Sequence, residues 1–90
     1  MSEPPNLTPA AQQLADAYAH TVILIGRCGE ATHAADWPAL AEHAGALSVA
    51  ADELSAAASA VTRDETPTSP TAFDQAAREA IRRMLADDAS

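Results

Sequence analysis

WPALAEHAGALSVAADELSAAASAV, residues 37–61, keeps a seven-residue beat. Leu40, Leu47, Leu54 and Val61 recur every seven positions, with Ala44, Ala51 and Ala58 midway between them. Apolar residues in steps of three and four fall along one face of an α-helix, because 3.6 residues complete a turn. A strand would alternate every second residue, and no run of β-branched and aromatic residues here has that period. The stretch therefore predicts a long helix. Asp36 before Trp37-Pro38 supplies its start: a carboxylate to accept from free amides, then a proline in the first turn.

Two further helices flank it. Thr8-Pro9 is another hydroxyl-then-proline opening, and Ala11, Leu14, Tyr18, Thr21, Ile25 and Cys28 continue in steps of three and four. Gly26 and Gly29 suggest its end, glycine being the usual residue after a helix terminus. After Thr62, the stretch TRDETPTSP interrupts the pattern with Pro67 and Pro70. Ser69-Pro70, or Thr71 with Asp74, then caps a third helix carrying Phe73, Ala77, Ile81, Met84 and Leu85. The expected division is a disordered tail over 1–7, a helical hairpin over 8–63 (helices 9–28 and 37–62), a Pro-rich linker over 64–70 and a C-terminal helix over 71–87. The expected fold class is all-α, an antiparallel hairpin plus a third helix. It closes either as a three-helix bundle or as a four-helix-type dimer of hairpins.

Folding the hairpin about residue 33 places Tyr18 near Leu47 and Ala51, and Leu14 near Leu54. Gly45, in mid-helix, then implies a backbone passing close by. Trp37 is expected to plug the turn end, and Cys28 to be a buried small hydrophobe. A second flank on the middle helix, Ala46, Val49, Ala50, Ala57 and Ala60, calls for cover from another side. The run Val22-Ile23-Leu24-Ile25 has the same surplus: with Val22 and Ile25 on the seam, Ile23 and Leu24 point elsewhere.

The totals bound what such a chain can do. Of its 90 residues 24 are alanine, whose burial removes little area from water. A domain this size buries only about 60% of its unfolded surface, so oligomerisation or a partner is expected to help. The net charge is −8, from 13 acidic residues against five arginines and no lysine. That balance disfavours nucleic acid and anionic membrane, and makes a basic partner the expected one. The opening MSEPPNLTPA has no basic-then-apolar leader, and a single cysteine excludes an internal disulfide, so the expected compartment is the cytoplasm.

Chemistry-bearing motifs are sparse. Glu30-x-x-His33 has the spacing by which one helix supplies two ligands to a metal, and His43 beside Glu42 is the other candidate. Adjacent helical residues diverge by about 100°, so Glu42 and His43 cannot both face one ion. A helical metal-binding, ferritin-like protein is the alternative this motif allows, with no cofactor in the main reading. His20, His33 and His43 otherwise read as surface or boundary residues. Cys28 has Arg27 beside it but no His and carboxylate set, so no nucleophilic site and no enzyme is expected. Arg78, Arg82 and Arg83 read as a solvated face, through four-residue pairs Asp74–Arg78 and Glu79–Arg83.

Trp37-Pro38-Ala39, at the turn of an Ala-rich acidic hairpin, resembles the Trp-x-Gly turn of small secreted actinobacterial hairpins of the WXG type. The resemblance implies a secreted helical hairpin. The chain departs from it in having Ala39 for the glycine, in Pro67 and Pro70, and in lacking the tyrosine of the C-terminal export motif. Ala35-Asp36-Trp37 before an Ala/Leu helix is similar to the helix-pair turn of a tetratricopeptide repeat, in one copy only. The residues themselves lead to an acidic helical protein-interaction module, an adaptor, accessory or regulatory subunit that self-associates. Its expected interface residues are Ile23, Leu24, Val49, Ile81 and Leu85.

Overall fold

The computed structural model of the chain describes residues 7–64 and 69–89. The tail expected over 1–7, Leu7 excepted, and Pro67 of the linker lie outside the described residues. Three helices make up the fold: α1 (Pro9–His33), α2 (Trp37–Asp64) and α3 (Pro70–Ala89). Each starts by the same device. The Ala11 amide donates to Thr8 Oγ1 at 3.1 Å, the Ala39 amide to Asp36 Oδ1 at 3.2 Å and the Ala72 amide to Ser69 Oγ at 3.3 Å. A proline follows each cap within two residues, where its missing N–H is no loss.

The end of α1 corrects the glycine-based expectation. The helix runs through Gly26 and Gly29 to His33, and the chain turns instead at Ala35, with φ 54°. There the Asp36 amide donates to Ala31 O at 2.9 Å and the Ala35 amide to Thr32 O at 3.1 Å. This is a Schellman closure with alanine at the left-handed position that glycine usually takes. Meanwhile a Cβ built at Gly26, Gly29 or Gly45 would meet nothing within 4 Å. No backbone passes close to Gly45, contrary to the sequence expectation. The chain thus carries glycine where a helix would prefer alanine, and alanine where the turn would prefer glycine.

α1 is the shared element. Close backbone approaches join it to α2 and to α3, and none among the described residues joins α2 to α3. The outline is correspondingly flat, 46 × 31 × 18 Å. On α1, Ala11, Ala15 and Ala19 are buried along one flank, and Thr21, Leu24 and Ala31 along another. The first flank lies under α3. Tyr18 meets Phe73, with ring centroids 6.0 Å apart, and Asp16 meets Arg83 at 3.2 Å. Two α1 residues only two apart thus touch α3 residues ten apart, about 15 Å along its axis, so α3 crosses α1 rather than running beside it. The second flank faces α2.

The core this creates is small. Among the described residues the buried apolar ones are nine alanines and Leu24. Thr21 is the buried polar residue, and its hydroxyl donates to Ala17 O at 2.8 Å. On α2 the seam is Leu40, His43, Leu47, Ala50, Leu54, Ala57 and Val61, a strict alternation of three and four steps in which Ala50 and Ala57 are buried. The sequence expectation had paired the leucines with Ala44, Ala51 and Ala58, all of which are exposed. The helix is therefore rotated toward its other alanine row.

Ala35→Gly is expected to stabilise the chain by about 1 kcal/mol by relieving the left-handed alanine. Gly45→Ala should add about 0.5–1 kcal/mol by raising helix propensity in open space. Urea unfolding of each variant checks both values, and loss of stability in either would contradict the geometry.

Candidate interaction surfaces

One side of the α1/α2 seam carries an open groove of about 710 Å³. Ala17 of α1 and Ala56, Ala57 and Ala60 of α2 floor it, Gln13, Asp16, His20 and Glu53 rim it, and Met84 of α3 closes one end. Asp16 Oδ1 accepts from Gln12 Nε2 at 3.3 Å and from Arg83 at 3.2 Å. The groove therefore joins an apolar floor to a rim with two carboxylates, which suits a side chain with an aliphatic stem and a cationic head. Val49, 60% exposed, stands one turn before Glu53 on this flank.

The opposite side of the seam is different in kind. There the half-buried Leu40, Leu47, Leu54 and Val61 form a ridge on α2, and exposed Ala44, Ala51 and Ala58 form a furrow beside it. Trp37 heads the furrow at 59% exposed, so it does not plug the turn. On α1 the same side presents Tyr18 and Ile25, 43% and 56% exposed. None of the ionised residues of α1 or α2 (Asp16, Arg27, Glu30, Glu42, Asp52, Glu53, Arg63, Asp64) falls in the ridge or the furrow.

Among the residues expected to form an interface, Val49 and Leu85 are exposed, while Ile23 and Ile81 are half-buried. Ile23 lines a shallow cleft with His20, Arg27, Met84 and Asp87, between α1 and α3. Leu24 corrects the reading: at 3% exposed it is core, and Ile25, expected on the seam, is the one left outside. Cys28 is half-buried rather than buried. The sequence reading passed over Ile25 and Tyr18 because both share the three-and-four spacing of a seam.

The metal candidates do not converge. Glu30 and His33 are exposed in the last turn of α1, and His43 is half-buried on the α2 seam. Among the described residues no group of three or more His, Cys, Asp or Glu side chains could hold an ion. Of the expected arginine pairs, Arg78 Nε meets Asp74 at 2.9 Å, whereas Arg83 leaves Glu79 and reaches Asp16 of α1. No helix among the described residues is long and apolar enough to cross a membrane. No protein-family model, no characterised protein and no solved structure matches this chain.

Docking of α3 should depend on its ring rather than its ion pair. Phe73→Ala is expected to cost about 2 kcal/mol, toward the low end for a half-buried aromatic. Arg83→Ala should stay within about 0.5 kcal/mol, because both partners of the pair are largely solvated. Thermal unfolding of the two variants side by side measures the difference.

Proposed function

We propose that this chain is a protein-interaction module, an adaptor, accessory or regulatory subunit that acts by presenting helical surface and performs no catalysis of its own. One observation carries the reading. Among the described residues Leu24 alone of the large apolar side chains is buried, while Tyr18, Ile25, Trp37, Val49 and Leu85 stand 43–60% exposed. A chain that leaves its large side chains outside and fills its interior with alanine gains little from folding alone, since stabilisation follows the apolar area removed from water. The remaining stabilisation is supplied by whatever covers those side chains, and folding and association are then coupled. Self-association belongs to this reading.

A charged partner of such a module is basic. The net charge of −8 and the Asp16/Glu53 rim of the groove support a cationic segment there, and the same charge repels nucleic acid. Partner binding at the groove should weaken as salt rises, through screening of the exposed carboxylates.

Light scattering on a sizing column at about 10 and 100 μM, with thermal melts at both concentrations, tests the reading by mass action. A mass above the monomer and a melting temperature that climbs with concentration are the expected result. A broad, weak melt of a monomer would also fit, as a surface awaiting a different protein. A monomer with a sharp melt that ignores concentration would overturn the proposal, because the exposed side chains would then contribute nothing to stability.

A further inference from the structure

Resting on the interaction reading above, we propose that the uncharged side of the hairpin is covered by a second copy of this chain, with the two α2 helices antiparallel about a two-fold axis at Ala51. The sequence of α2 is self-complementary about that point. In an antiparallel pair centred there, Ala44 lies level with Ala58 of the second copy and Ala51 with itself, while Leu47 and Leu40 lie level with Ser55 and Thr62, one residue from Leu54 and Val61. A two-fold perpendicular to the helices sets ridge beside ridge and furrow against furrow. The leucines of both copies then fill the middle of four helices, together with Tyr18 and Ile25. The alanine furrows, extended by Ser48 and Ser55, let the two backbones approach closely.

Charge selects the same occupant. Each copy carries −8, so two copies resist each other wherever carboxylates would meet. The ridge and furrow are the stretch of α2 free of ionised residues, and pairing there leaves Glu42, Asp52 and Glu53 outside it on both copies. A basic partner would gain nothing from an uncharged face, whereas an acidic twin needs one. The size also fits. Twenty-eight residues of α2 span about 42 Å, and two helices 8–10 Å apart give a face of about 800 Å², the share each partner contributes to a standard interface. The groove with Asp16, Glu53 and Met84 stays open on the far side of each hairpin.

Cysteine cross-linking in a Cys28→Ser background tests the pairing, since Cys28 is the chain's single cysteine. Ala51→Cys should oxidise to a covalent dimer. Ala44→Cys and Ala58→Cys should cross-link when mixed and not when alone; cross-linking of Ala44→Cys with itself would mean a parallel pair and overturn the proposal. Ala51→Glu, at a position exposed in the single chain, should halve the solution mass with helicity by circular dichroism retained, while Val49→Glu on the other flank leaves the mass unchanged. A native dimer that survives Ala51→Glu would place the second copy elsewhere, sinking this inference and sparing the interaction reading. A native chain that stays monomeric at about 100 μM overturns it too. Its melt then separates the two ideas: a broad one leaves the interaction reading standing, and a sharp one removes both.

Discussion

Alanine-to-alanine packing is the constraint on which the molecule turns. With Ala11, Ala15 and Ala19 on one flank of α1, and Ala50 and Ala57 facing the other, the helices can pack closely. Close packing of small side chains gives good contact and little buried area, and area rather than contact sets the hydrophobic gain. The same choice explains two features that look unrelated: a central helix flanked on both sides, and large side chains displaced to the edges. Once alanine occupies the middle, Leu47 and Leu54 can be covered only halfway by their own chain, and Tyr18, Ile25 and Val49 less than that.

Local chemistry was legible in the sequence; rotation was not. Thr8, Asp36 and Ser69 each cap the helix they announce, because a cap is a short-range event between one side chain and amides two or three residues on. Which face of α2 turns inward is a different matter. Ala44/Ala51/Ala58 and Ala50/Ala57 flank the same leucines in two rows about 100° apart, and His43, the polar member of the second row, favours the first as the seam, although the second is the one buried. Val22-Ile23-Leu24-Ile25 is mute: four consecutive apolar residues point in every direction. The glycines misled because residue type alone does not set a helix end: the turn closes on Ala35, left-handed, with the amides of Ala34, Ala35 and Asp36 all bonded back to α1. Trp37 was unreadable because an aromatic opening a helix can face either way.

For the surfaces, the composition carried more than the motifs. Thin core and acidity were visible in the totals, and they still describe the molecule. Glu30-x-x-His33 was a spacing without company: the fold keeps both residues on one exposed turn and, among the described residues, brings no third ligand to them. Segregation of charge to one side of the hairpin was available in principle, but reading it required knowing which row of α2 is seam, and that came only from the packing.

The crossing of α3 over α1 has a kinetic corollary. α1 and α2 are joined through three residues, so their docking closes a short loop and can form early. The α3 contacts span 55 residues at Tyr18–Phe73 and 67 at Asp16–Arg83, so they are won against a larger chain entropy, and the side chains α3 buries, Ala72, Ala77 and Ala80, are small. Lifting α3 is therefore the cheapest opening of the native state. Its amides should exchange with solvent ahead of those in the hairpin, and with each opening the Ala11–Ala19 flank of α1 is briefly bare. α3 is thus the cover of that flank of the central helix.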